Sequence, residues 1–159
     1  MRYLRWLYQG VILDHCKRPR NRHVLADANR KAEGHGALCG DGVIVYLKIE
    51  NEVIRDATFE GRGCAIAIAS SSLMTEALKN KTITEAAHFL ESFHHVVMDS
   101  VAASCPELGE LEALAGVREF PARVECAMLP WQTLNIALKD DFPPLISMEP
   151  IAAKVDNNQ

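Results

Sequence analysis

Near the start of the chain the apolar positions Leu4, Leu7, Tyr8, Val11 and Ile12 recur at intervals of three and four, the spacing that gathers side chains on one helical face. The pattern predicts a helix over about residues 3 to 16, stopping ahead of Pro19. From Val43 the period shortens to two: Val43, Val45, Leu47 and Ile49 share one face of a strand, and a second strand from Val53 to Glu60 follows the turn Asn51-Glu52. A weaker strand around Lys31 to Leu38 completes a small antiparallel sheet. Gly61-Arg62-Gly63 closes the hairpin, Cys64 falls at the strand-to-helix turn, and the small-residue run from Ile66 to Leu78 predicts a helix that packs closely on the sheet. Capping boxes at Thr82 with Glu85 and at Ser104 with Glu107 start helices near residues 83 to 99 and 105 to 115. Phe120-Pro121 marks a loop, and Leu129, Leu134, Ile136 and Leu138 return to helical spacing over residues 127 to 139, with Pro130 tolerated in the first turn. The expected class is α+β, a three-stranded antiparallel sheet covered by helices. One domain spans residues 1–139, and 140–159, interrupted by Pro143, Pro144 and Pro150, is expected to be a flexible tail.

Charge narrows the function classes. Lys plus Arg number 17 against 21 Asp plus Glu, a net charge of -4, which argues against a nucleic-acid binder. No run approaches the roughly 18 apolar residues of a membrane helix, and no secretory leader pattern opens the chain, so a cytoplasmic location is expected. Between Lys17 and Lys31 lie six cationic side chains, Lys17, Arg18, Arg20, Arg22, Arg30 and Lys31. They fit either a solvated loop or a surface for an acidic protein partner.

The cysteines carry the chemistry. Five of them, Cys16, Cys39, Cys64, Cys105 and Cys126, are an odd number at wide spacing, a poor disulfide framework and a better fit to reduced thiols. Cys39 stands in Cys39-Gly40-Asp41-Gly42 before a strand, Cys64 follows Gly61-Arg62-Gly63, and Cys126 precedes the last predicted helix. A thiol at a helix N-terminus meets unpaired N–H groups and the positive end of the helix dipole, which favour thiolate. Cys39, Cys64 and Cys126 with the Asp41 carboxylate can make a tetrahedral set. The spacing alone leaves a second possibility open, three unrelated buried cysteines, because none of the intervals is a C-x₂-C knuckle.

Leu7-Tyr8-Gln9, Val11-Ile12-Leu13-Asp14-His15, Arg18-Pro19-Arg20-Asn21, Cys39-Gly40-Asp41, Phe59-Glu60-Gly61-Arg62-Gly63-Cys64, Ala69 to Glu76, Leu108-Gly109-Glu110-Leu111 and Phe120-Pro121-Ala122-Arg123-Val124-Glu125-Cys126 together resemble the U-type iron–sulfur cluster assembly family. Its branches are SufU, IscU and the NifU N-terminal domain, and the long interval before the third cysteine resembles the SufU branch. The resemblance implies a SufE/NifU-like fold and a zinc ion held by Cys39, Asp41, Cys64 and Cys126, with Arg123 beside the third cysteine. It also implies sulfur acceptance from a SufS-like cysteine desulfurase, with Cys39 as the acceptor. In IscU-like members the same positions assemble a transient [2Fe-2S] cluster, or hold iron, and hand it to apo iron–sulfur proteins. This chain departs from the pattern at His35-Gly36-Ala37-Leu38 before the first cysteine, which makes His35 a possible competing ligand, and at Glu125, where IscU-type proteins carry His.

Overall fold

The computed structural model describes residues 2–36, 40–98 and 106–139 of the chain, and side chains from residue 10 onward except residue 106. Helix α1 (Arg2–Lys17) precedes strands β1 (Arg30–His35), β2 (Gly42–Glu50) and β3 (Val53–Arg62). Helices α2 (Ala65–Leu78) and α3 (Ile83–Met98), a 3₁₀ segment (Pro106–Glu119) and helix α4 (Pro121–Lys139) follow. The sheet runs in the order β1-β2-β3, antiparallel throughout. The α+β class and the three-stranded sheet expected from the periodicity are therefore present.

The hairpin turns on Asn51 and Glu52, both at positive φ (53° and 64°), the two-residue geometry whose twist matches the strands it joins. Val43, Val45, Leu47 and Ile49 all face the core. On β3 the alternation breaks: the register moves from Lys48 opposite Asp56 to Ile49 opposite Ile54, a bulge at Arg55 that returns Ala57 and Phe59 to the buried side. Helices α2 and α4 cover this face of the sheet. There Trp131 stacks on Phe93 with ring centroids 4.6 Å apart and its indole N–H donates to Ser70 Oγ at 3.1 Å. Burying an aromatic side chain of this size contributes about 2–3 kcal/mol.

Two expectations are corrected. The segment after residue 105 is a 3₁₀ helix, not an α-helix, and Gly109 at φ 58° breaks it. Its large buried residues Leu108, Leu111, Leu114 and Val117 recur at intervals of three, the 3₁₀ period, with the small Ala113 buried beside them. Helix α4 starts at Pro121, six residues before the apolar spacing becomes helical, because Phe120 caps it: the N–H groups of Arg123 and Val124 donate to Phe120 O at 2.7 and 3.2 Å. Pro121 takes the first position, where its missing N–H costs nothing. Pro130 accordingly lies inside the helix and not in its first turn. The Thr82–Glu85 capping box forms with both reciprocal bonds, Thr82 N to Glu85 Oε1 at 2.9 Å and Glu85 N to Thr82 Oγ1 at 3.0 Å. The second box, at Ser104, and the segment 140–159 lie outside the described residues.

Candidate metal centre

One end of the sheet assembles the site. Strand β1 leaves the sheet at Gly36, whose N–H donates to Asp41 O at 2.8 Å, so the loop that holds Cys39 is closed at its base. Asp41 is 2% exposed. An ionised carboxylate so buried costs several kcal/mol unless donors or a cation face it. One donor is the backbone of Cys64, whose N–H reaches Asp41 Oδ1 at 3.0 Å. The second oxygen, Oδ2, faces Cys64 Sγ at 3.7 Å.

Gly63 makes this approach possible. It sits at φ 147°, and a Cβ built on it collides with the Asp41 carboxylate. Cys64 is the N-cap of α2, its backbone extended (φ -76°, ψ 168°), with no side-chain capping bond. The Asp41 carboxylate stands in as the cap by accepting the N–H, and the Cys64 sulfur is left at the mouth of the site, half-buried.

Cys126 arrives differently from the expectation. It is not at a helix N-terminus but in the second turn of α4, 1% exposed, with its sulfur 3.5 Å from Ala122 O. Pro130, four residues on, has no N–H to donate to the Cys126 carbonyl, so the helical ladder is interrupted at this turn. Arg123, in the first turn and exposed, supplies the positive charge that the helix end was expected to supply: its hydrogen bond to Cys126, and then the charges of Cys64 and Cys126, push its pKa up.

The ligand atoms of Asp41, Cys64 and Cys126 all lie within 4.8 Å of one another. Tetrahedral zinc with Zn–S bonds of about 2.3 Å sets its ligands roughly 3.7 Å apart, so the arrangement suits such an ion. The donor chemistry also fits: two thiols and a carboxylate, as thiolates, gather three negative charges against one guanidinium, and a divalent cation makes up the balance. Cys39, the fourth residue of the expected set, lies outside the described residues, as does Cys105. His35 is at the end of β1 with Nε2 3.3 Å from Glu33 Oε2, and it does not join the Asp41–Cys64–Cys126 group. Cys16 is half-buried on α1.

Sequence reasoning did not find the groove beside the site. Ile12, Ile66, Val117, Phe120 and Arg123 line an open apolar cavity of about 850 Å³, and Phe120 at its rim is 60% exposed. Nor did it find a buried polar corner midway along α2. There His15, 2% exposed, lies 2.7 Å through Nδ1 from Ser72 Oγ and 3.4 Å through Nε2 from Glu110 Oε1. Ser72 Oγ also accepts the Arg20 N–H at 2.8 Å. No helix among the described residues is long and apolar enough to cross a membrane.

Residues 7–139 match the family model described as the NifU-like N terminal domain. The zinc-dependent sulfurtransferase SufU of Bacillus subtilis is 41% identical over 129 residues, 81% of this chain and 87% of that protein. The iron–sulfur cluster assembly scaffold protein IscU of Streptococcus pyogenes is 38% identical over 136 residues, 86% of this chain and 85% of that one. In structure, the N-terminal part of a nitrogen-fixing NifU-like protein from Brucella abortus superposes with a TM-score of 0.75 at 25% identity, covering 81% of this chain and 90% of its own.

Proposed function

The chain belongs to the NifU-like N-terminal domain family, and on that premise we propose that it serves iron–sulfur cluster assembly as a zinc-holding sulfur acceptor for a cysteine desulfurase. The observation that carries this reading is the clustering of Asp41, Cys64 and Cys126 within 4.8 Å, in a chain 41% identical to a zinc-dependent sulfurtransferase. Cys39 is the fourth ligand of the set: two residues from Asp41, it is bound by chain connectivity to a Cα separation of at most about 7.6 Å. Bound zinc keeps its cysteine ligands deprotonated and undergoes no redox change.

The chain's own residues do the rest. Cys39, which precedes Gly40 at φ 70°, is the ligand assigned to react, and Asp41, a hard oxygen among sulfurs, suits a site whose donors exchange. The Cys39 thiolate attacks the terminal sulfur of the donor's persulfide; a new S–S bond forms on Cys39, the donor's S–S bond breaks, and the donor cysteine leaves as thiolate. No net oxidation occurs. Cys64 and Cys126, fixed at a helix cap and inside a helix, hold the site together while Cys39 reacts.

A second reading, a scaffold on which a [2Fe-2S] cluster is assembled as cargo and passed to apoproteins, is supported by the 38% identity to an IscU scaffold. Transfer of radiolabelled sulfur from a cysteine desulfurase separates the two. Under the acceptor reading Cys39→Ala lowers uptake at least tenfold, while its melting temperature stays within a few degrees of the parent. Normal uptake by Cys39→Ala contradicts the assignment.

A further inference from the structure

The two edges of the sheet are treated differently. On the outer side of β3, backbone from elsewhere in the chain takes up the strand's polar groups: Ile54 N–H donates to Lys81 O at 2.8 Å, Asn80 N–H to Ile54 O at 2.7 Å, and Phe59 N–H to Asn21 O at 2.9 Å. Arg22 bridges to Phe59, and its guanidinium donates to Gly61 O at 2.6 Å. That edge is closed at both ends.

Strand β1 forms the other edge. Its register with β2 runs on into the bond from Gly36 N–H to Asp41 O, so the alternate residues Arg30, Ala32 and Gly34 turn their backbone groups toward Leu47, Val45 and Val43. The N–H and C=O groups of Lys31, Glu33 and His35 therefore point away from the sheet, and they have no hydrogen-bond partner among the described residues. Side chains alternate in step: Ala32 and Gly34 are buried, whereas Lys31 is exposed and Glu33 and His35 are half-buried. Lys31 lies over the Tyr46 ring, 5.7 Å from its centroid, and is in no ion pair among the described residues. An open edge of this kind is a template for another strand.

We propose that β1 pairs with β1 of a second copy of this chain, antiparallel about a two-fold axis through Ala32. Only the outward-pointing residues can exchange bonds, and their charges choose the register. An axis through Lys31 sets Lys31 opposite itself and one through Glu33 sets Glu33 opposite itself; like charges directly opposite oppose pairing. An axis through Gly34 engages only the end of the strand and pairs Glu33 with His35, which already holds it at 3.3 Å within the chain. An axis through Ala32 sets Lys31 of each copy opposite Glu33 of the other, and each pair exchanges both N–H···O bonds. The two sheets become one. Each chain carries a net charge of -4, which opposes association. One short strand also buries less than a standard interface, so the dimer is weak, half-formed at about 0.1 mM. Gly36, where β1 leaves for the metal site, is four residues from the axis, so the two sites lie about 26 Å apart along the joined strands, at opposite ends. The pairing does not rest on the sulfur-acceptor reading.

Sedimentation equilibrium of the full chain from about 10 µM to about 1 mM tests the pairing by mass action. The weight-average mass of the parent rises from that of one chain toward that of two. Lys31→Glu and Glu33→Lys each replace two attractive pairs by two repulsive ones and raise the dissociation constant at least tenfold, to beyond about 1 mM. Both residues lie on the solvent face, so the circular dichroism and melting curve of each variant match those of the parent. Mixing the two variants restores association, because the acids of one then stand opposite the bases of the other. The double swap, Lys31→Glu with Glu33→Lys in one chain, keeps the net charge and associates like the parent. A parent that stays monomeric to about 1 mM, a single variant that dimerises like the parent, or a mixture that does not associate overturns the proposal. Amide exchange then reads the edge itself: protection at Lys31, Glu33 and His35 rises with protein concentration. Protection that is independent of concentration and lost when residues 140–159 are removed assigns the edge to the chain's own C-terminal segment and overturns the second copy.

Discussion

Helix α2 carries two polar corners built on opposite plans. Around Ser72, midway along the helix, the protein supplies the partners itself: the His15 ring at 2.7 Å, the Arg20 N–H at 2.8 Å, and one turn later Asn21 donating to Thr75 at 3.1 Å. Around Cys64, at the helix start, the Cys64 sulfur lies 3.7 Å from Asp41 Oδ2 and the Cys126 sulfur 3.5 Å from Ala122 O. A thiol is a weak hydrogen-bond donor, so these contacts hold the sulfurs only loosely. Both corners are largely buried, so burial does not distinguish them; what does is whether oxygen and nitrogen groups close the network within the protein or thiols and a carboxylate converge on a point that an ion would fill. The first corner joins α1, α2 and the 3₁₀ segment, and the second is a candidate metal site.

Breaking each corner in turn should give opposite signatures. Gly63→Ala has the largest effect, because the new Cβ meets the Asp41 carboxylate and the residue is held at φ 147°. Strain of this kind costs about 1–3 kcal/mol, and displacing a ligand's support lowers metal affinity by about 100-fold; a metal titration together with a melting curve reads both. His15→Ala reverses the balance. Loss of a buried, bonded ring costs about 2–3 kcal/mol, while zinc affinity stays within about twofold because no atom of the site is touched. A His15→Ala protein that folds normally and loses metal would erase the distinction between the corners.

The smallest effect lies at the exposed rim of the first corner. Arg20 and then Arg18 hold the Asp14 carboxyl down from 3.8 to about 2. A carboxyl depressed on folding contributes stability above about pH 4, and that contribution is lost as pH falls through about 2. Asp14→Asn removes it, so the two proteins should differ in melting temperature by about a degree at pH 6 and converge as pH approaches 2. A gap that persists at pH 2 assigns the effect to something other than charge.

Much of this was readable in the chain, for reasons that differ by region. The hairpin follows from alternation at Val43 to Ile49 and from Asn51-Glu52, and α1 from its spaced apolar residues, because burial on one face leaves a period in the sequence. The start of α4 was missed because Phe120-Pro121 reads as a loop until it is seen that Phe120 O accepts the first bonds and Pro121 needs none. The 3₁₀ segment was read as an α-helix because the capping pair Ser104 and Glu107 marks a helix start without setting its period, which lies in the interval of three from Leu108 to Val117. At the site, the motifs brought forward Asp41, Cys64, Cys126 and Arg123, and the structure brings the ligand atoms of the first three within 4.8 Å of one another. The role of Gly63 was not legible, since it depends on a carboxylate more than twenty residues away.

The claim on which the rest depends is that these residues hold one metal ion. Metal and acid-labile sulfide are to be measured on the full chain and on Cys64→Ser, each purified with and without oxygen. The account predicts one zinc and no sulfide per parent chain, and a folded Cys64→Ser with less than a tenth of that zinc. Zinc retained at one per chain in Cys64→Ser, or iron with equimolar sulfide in the parent, would contradict it.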